Sequence, residues 1–187
     1  LRDLKLTIPC FDTSLDLSAD STCVETMQNL MQVAHNAHVP YVVACSLQDN
    51  EEQVRQNLAA LEPLAEQYNV SLLIKTSGIY ADTAKLRSLL ESYASDFTGA
   101  LWDMHHPYRD FGESADTTIK NLGTYVKHVH LRDSDDKDTY NLIGEGNLPV
   151  ADMMRALSSI NYDGFISLEW KPEWMEDLQD REVIFPH

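Results

Sequence analysis

Between Leu101 and Asp133 the chain gathers side chains that can bind a metal or move a proton. The run A-L-W-D-M-H-H supplies Asp103, His105 and His106, and K-H-V-H-L-R-D supplies His128, His130 and Asp133. A later apolar run, F-I-S-L-E-W, ends in Glu169, and an earlier one, S-L-L-I-K, ends in Lys75. One Asp, one His and one Glu make a mixed nitrogen and oxygen donor set, suited to Mn²⁺, Zn²⁺, Co²⁺ or Fe²⁺. Asp103, His130 and Glu169 are therefore the expected metal ligands. Taken singly, each is also an ordinary helix cap or hydrogen-bonding group. The argument rests on their occurring in register at three successive strand ends.

Other residues take supporting parts. His106 is favoured over His105 to orient a ligand carboxylate or a substrate oxygen. Gly144-Glu145-Gly146 follows the His-Val-His strand. Its two glycines allow close backbone approach to a ligand, with Glu145 between them, or simply a turn before the next helix. Lys75, Arg109, Arg132 and Lys171 all fall at or just after strand ends, so the few cations can gather near the chemistry. Arg109 and Arg132 can meet a phosphate or carboxylate, or stand on the surface. Trp102 reads as core, and Trp170 and Trp174 can floor an apolar sugar face.

These groups need a scaffold that brings strand ends together. Apolar runs over Lys5–Phe11, Tyr41–Cys45, Ser71–Lys75, Gly99–Asp103, Lys127–Leu131 and Phe165–Trp170 read as strands. Asp12 falls in the loop after the first. Helical patterns cover Cys23–His38, the stretch from an Asp49 or Asn50 cap to Tyr68 with a kink at Pro63, Asp82–Tyr93, Ser114–Gly123 and Val150–Ile160. His105 and His106 lie in a loop. Strict strand–helix alternation with short connections predicts parallel strands with helices outside. In such folds the polar chemistry sits at the carboxyl ends of the strands.

The 187 residues are enough for one domain, residues 1–187. The balance of 14 Lys+Arg against 30 Asp+Glu gives a net charge of −16, which disfavours nucleic acid. No apolar run is long enough to span a membrane. Cys10, Cys23 and Cys45 lack C-x-x-C spacing and are expected as reduced packing residues in a cytoplasmic protein.

The motifs W-D-M-H-H, H-V-H-L-R-D, G-E-G and Y-D-G-F-I-S-L-E-W, with their spacing, resemble the sugar phosphate isomerase/epimerase family, whose fold is the xylose isomerase-like TIM barrel. The likeness is good from Ser71 to Lys171 and loose before it. It implies a parallel α/β barrel and a divalent metal (Mn²⁺, Co²⁺, Mg²⁺ or Zn²⁺) held by Glu, Asp, His and Glu. By this resemblance Asp103, His130 and Glu169 are three of those ligands, and His106 contacts substrate. Two departures stand out. Lys75 occupies the place of the first Glu, where its ammonium can fill the charge hole as a salt bridge, lie peripherally, or serve as a catalytic amine. The family barrel has eight βα units, and six strands are counted here, so an incomplete barrel is expected, with edges covered by a second copy or a partner segment.

The expected function is a metal-dependent sugar or sugar-phosphate isomerase/epimerase working through an enediolate. Glu169 is its base, Lys75 is a second catalytic candidate, and a small sugar is the partner. A non-catalytic barrel that binds a sugar-like ligand or serves in assembly is the alternative. A phosphodiesterase of the endonuclease IV type is a third reading, disfavoured by the sparse ligand set and the acidic surface.

Overall fold

The computed structural model describes residues 4–93, 95–137 and 139–170. Six parallel strands pair in sequence order, β1 to β6, and form a half-barrel. They are β1 (Phe11–Asp16), β2 (Tyr41–Cys45), β3 (Ser71–Lys75), β4 (Thr98–Asp103), β5 (Val126–Leu131) and β6 (Ile166–Leu168). The helices are α1 (Thr22–Ala37), α2 (Glu51–Tyr68), α3 (Thr83–Glu91), α4 (His105–Phe111), α5 (Ala115–Leu122) and α6 (Val150–Ser159). Among the described residues no helix is long and apolar enough to cross a membrane.

The middle strands are apolar because both faces are covered. On the outer face Leu72, Ile74, Ala100, Trp102 and Val129 pack against Met27, Met31, Leu58, Leu61 and Leu86 of the helices. On the inner face Val43, Leu73 and Leu101 form a smaller cluster, with Cys10 and Tyr41 against it. Successive strand residues alternate between faces. The residue two beyond each inner apolar one is therefore also inward, which aims Cys45, Lys75 and Asp103 into the cup above Val43, Leu73 and Leu101.

Caps set several helix starts. Asn50 Oδ1 accepts from Gln53 N, Asp82 Oδ1 from Ala84 N, and Ser114 Oγ from Thr117 N. Helix α2 runs through Pro63 without ending.

Three boundaries differ from expectation. The first strand lies over Phe11–Asp16 and not over Lys5–Phe11, so Asp12 is a strand residue. Among the described residues β1 pairs with β2 alone, with an irregularity between Asp12 and Asp16, so it need not be apolar throughout. Thr13 Oγ1 adds a bond of 2.6 Å to the Val43 carbonyl. His105 and His106 open the short helix α4 instead of lying in a loop. Its start is fixed by Asp103 Oδ1, which accepts from His105 N at 3.0 Å. Finally, β6 is only Ile166–Leu168, although Glu169 N still donates to the Leu131 carbonyl at 2.8 Å. Lys171 and Trp174 lie outside the described residues.

Candidate active site

Register builds the site. Asp103 ends β4 directly beside His130 of β5, and His130 is beside Ser167 of β6. Lys75 ends β3 beside Leu101, one strand over. Thr76 ties β3 to β4 from both directions: its Oγ1 donates to the Asp103 carbonyl at 3.1 Å and accepts from Asp103 N at 2.9 Å. Asp103 is thereby held by its own backbone as well as by the bond its carboxylate accepts from His105 N.

Lys75 is the centre of the cup. Its Nζ lies 3.1 Å from Asp103 Oδ2, 3.1 Å from Glu169 Oε1 and 3.9 Å from Asp12 Oδ2. Lys75 is 9% exposed, Asp103 1% and Glu169 6%. Burial works against the charge on Lys75, but the carboxylates, Asp103 foremost, outweigh it and hold the amine protonated, well above the usual lysine range. Burial likewise opposes ionisation of Asp103. Lys75, then His106, His130 and Arg132, nevertheless pull its carboxyl well below the usual carboxylate range. A permanently protonated amine donates hydrogen bonds and stabilises negative charge, but it is not a nucleophile.

Asp12 is a site residue that sequence reading passed over. Its carboxylate faces both Lys75 Nζ and His130 Nδ1, each at 3.9 Å. The only available signal was the polar alternation of F-D-T-S-L-D, which suits an edge strand as well as a loop. His106 stands half-buried at the rim, with Nε2 3.8 Å from Asp103 Oδ2 and Nδ1 3.1 Å from Asp110 Oδ2. It borders a pocket of about 310 Å³ lined by Asp12, Cys45, Lys75, Ser77 and Asp110 among others, within the usual size range of small-molecule sites.

A second layer lies beneath. His128 and His130, two apart on β5, share the inner face, with ring centroids 5.4 Å apart. His128 Nε2 is 2.9 Å from Ser167 Oγ. Burial, helped by His130, lowers His128 to about 4, and burial with Lys75 lowers His130 as well. His105 is lowered to about 4 by burial and Arg132, and its Nδ1 meets Ser134 Oγ at 3.1 Å.

The remaining expected site residues are placed differently. Arg109 does not reach the cup. It bonds Ser134 and Asn147 and so pins the loop after β5. Arg132 is buried, with its guanidinium 4.5 Å from the centre of the Tyr140 ring. Tyr140 in turn meets Trp170 edge-on. Glu145 is exposed in its loop. That loop is organised by buried Asp133, whose carboxylate accepts from the backbone N–H of Ser134, Gly144, Gly146 and Leu148.

A divalent ion would need the carboxylate oxygens at about 2 Å. In the expected set, Asp103 Oδ2 and Glu169 Oε1 instead converge on the Lys75 ammonium. The set Asp103, His130 and Glu169 therefore does not fit a divalent ion while Lys75 is charged. Among the described residues two triads bring ligand atoms within 4.8 Å of one another: Asp12, His130 and Glu169, and Cys10, His128 and His130. The first also shares Glu169 with Lys75.

Comparison with known proteins gives the family. An uncharacterised protein of Methanocaldococcus jannaschii is 25% identical over 193 residues, 98% of this chain and 62% of that protein. Fructoselysine 3-epimerase of Escherichia coli O157:H7 is 24% identical over 131 residues, 67% of this chain and 47% of the enzyme. The chain thus spans roughly half to three-fifths of these relatives. Among solved structures, a D-tagatose 3-epimerase-like protein superposes with a TM-score of 0.73 at 20% identity, covering 89% of this chain and 72% of that one. A Mycobacterium smegmatis barrel in complex with magnesium superposes with a TM-score of 0.68 at 14% identity, covering 90% and 68%. These likenesses show the fold. The xylose isomerase-like TIM barrel model matches residues 1–184, and the chain belongs to that family.

Proposed function

We propose that this half-barrel carries the catalytic face of a sugar isomerase or epimerase in which the Lys75 ammonium supplies the electrophile. The observation that carries this reading is a single protonated amine held among Asp12, Asp103 and Glu169 at the mouth of the sheet. A hydroxy-ketone entering the pocket beside Asp12, Lys75 and His106 would place its carbonyl oxygen on Lys75 Nζ. Glu169 then takes the proton from the carbon next to the carbonyl. The C–H electron pair moves into the new C=C bond, and the carbonyl oxygen becomes an enediolate oxygen stabilised by the ammonium. Asp12, whose carboxylate also faces the ammonium, is the candidate to relay a proton from a solvent water to the opposite face of that carbon and so invert the centre, while Glu169 gives the proton it took to solvent. His106 orients a substrate hydroxyl. Asp103 holds Lys75 in place.

Sugar-epimerase relatives and neighbours support a ketose as the substrate class. A magnesium-bound neighbour keeps the family's metal chemistry in view, but no step here passes through a metal, because Lys75 already holds the carboxylates. The three cysteines are unpaired, in keeping with a reducing compartment such as the cytoplasm. The second reading, a binding barrel without turnover, is favoured by the same ion cluster if Lys75 merely neutralises it.

The test is proton exchange. The chain is incubated in D₂O with unphosphorylated and phosphorylated ketohexoses, and the carbons flanking the carbonyl are followed by NMR. Exchange by the wild type, reduced roughly 10²–10⁴-fold in Glu169→Gln, is expected. Saturable sugar binding without exchange leaves the binding reading standing, and neither exchange nor binding ends both.

A further inference from the structure

We infer that Cys10, His128 and His130 form a binding site for a thiophilic transition metal of the Zn²⁺ class, in the layer beneath the Lys75 cup. The inference stands apart from the sugar reading. It follows from the second donor triad, whose atoms lie within 4.8 Å of one another.

The geometry comes from the sheet. His128 and His130 are alternate residues of β5, so both rings project to the inner face, and they stand at 83° to each other with centroids 5.4 Å apart. Two imidazoles spaced in this way on one rigid strand form a bidentate arm. Cys10, immediately before β1, packs on the inner cluster of Val43, Leu73 and Leu101 and brings its sulfur to the same point. Ser167 Oγ, 2.9 Å from His128 Nε2, fixes that ring, and a group bonded to one ring nitrogen leaves the other for a metal. His130 Nδ1 is buried with no hydrogen-bond partner among the described residues. Leaving such an atom unbonded is costly, and a metal bond would satisfy the ring.

Donor chemistry selects the ion. One thiolate and two imidazoles favour Zn²⁺, Co²⁺ or Cu⁺ over Mg²⁺ or Ca²⁺, which prefer oxygen. Typical Zn–S and Zn–N lengths of about 2.3 and 2.0 Å require the donors to draw in by less than roughly 1.5 Å. Three protein ligands leave a fourth position open. The local field is favourable too. The cup above holds three carboxylates, Asp12, Asp103 and Glu169, against one ammonium. Lys75 excludes a second cation from the oxygen donors of that cup, yet none of the three donors below is bonded to it. A metal-binding residue that sequence reading assigned to the oxygen set, His130, is thereby assigned to the sulfur and nitrogen set.

Cobalt is the probe. Purified chain, stripped with chelator, is titrated with Co²⁺ and followed for the near-ultraviolet band of a thiolate–cobalt bond, and Zn²⁺ is then used to displace it. One equivalent should bind with a thiolate band, and Zn²⁺ should bleach that band. The band should persist in Cys23→Ala/Cys45→Ala, which leaves Cys10 as the sole thiol, and in Asp12→Asn. Cys10→Ala should abolish it, and Zn²⁺ affinity should fall by more than the roughly 10–100-fold typical of losing a supporting group. No uptake, uptake without a thiolate band, a band lost in the double-cysteine variant, or a band lost in Asp12→Asn would each overturn the site. The double-cysteine variant keeps the test decisive even if Cys10→Ala fails to fold.

Discussion

A lysine among three carboxylates is stable only because each charge answers another. Asp103 and Glu169 are almost fully buried, and an unpaired buried charge costs several kcal/mol. Lys75→Met keeps much of the side chain's bulk and removes the charge, so two carboxylates would face each other across the cup. A loss of about 3–5 kcal/mol is expected, measured by urea unfolding at neutral pH. A loss below about 1 kcal/mol, the scale of an exposed pair, would show that water already shares this cluster. Asp103, His130 and Glu169 stood out in the sequence because each lies at or within one residue of the end of a largely apolar strand, which makes a polar group conspicuous. Asp12 did not. It sits on an edge strand whose polar alternation looks like a loop, and its role depends on a lysine 63 positions away, a distance no local pattern encodes. The partners of Lys75 were equally hidden. Its charge was legible, but the choice between ion pair, rim and nucleophile depended on the orientation of three other strands.

At the scale of elements, buried strands declare themselves and short helices do not. Tyr41–Cys45 and Ser71–Lys75 were readable to the residue because nothing polar interrupts a strand covered on both faces. Helix α4 was missed because it is only about two turns long and holds Pro107, and no Ser or Thr caps its start, where Asp103 Oδ1 accepts from His105 N. Gly112, left-handed at its end, was the one usable stop signal. The loop between β5 and α6 shows why G-E-G was ambiguous. Its glycines serve the backbone: Gly144 has φ +91, and a Cβ at Gly146 would collide with the Asp133 carboxylate. That carboxylate closes the loop through bonds of 2.8, 2.8, 3.1 and 3.2 Å from four backbone N–H groups. Asp133→Ala removes the acceptor from all four, and a cost of at least about 3 kcal/mol follows from hydrogen bonds to a charged group. Hydrogen exchange should place the lost protection at Ser134, Gly144, Gly146 and Leu148, with the helices of the outer face unaffected. Loss spread evenly over the chain would contradict a local anchoring role.

The whole molecule joins a large negative charge to a neutral, buried histidine layer, and the two respond to acid differently. His105 and His128 are both buried and lowered to about 4 in the folded chain, against about 6.5 when unfolded. Below pH 6.5 the unfolded chain therefore binds more protons, so stability falls as pH drops from about 6.5 to 4 and then levels with respect to these groups. The slope approaches about 1.4 kcal/mol per pH unit for each histidine in that window. The net charge of −16 pulls the other way, because protonating surface carboxylates relieves self-repulsion. Most carboxylates titrate near pH 4, however, so between pH 6.5 and 5 that relief is small and the histidines dominate. Asp103, held low by Lys75, adds its loss only at still lower pH. Unfolding free energies measured with chelator present, so that no metal masks the imidazoles, should fall steadily from pH 6.5 to 5. In His128→Gln, which can still reach Ser167 but carries no titrating ring, that fall should be shallower by up to about 1.4 kcal/mol per pH unit. A flat profile in the wild type would mean that the inner face takes up protons while folded, and that the layer beneath Lys75 is open to water.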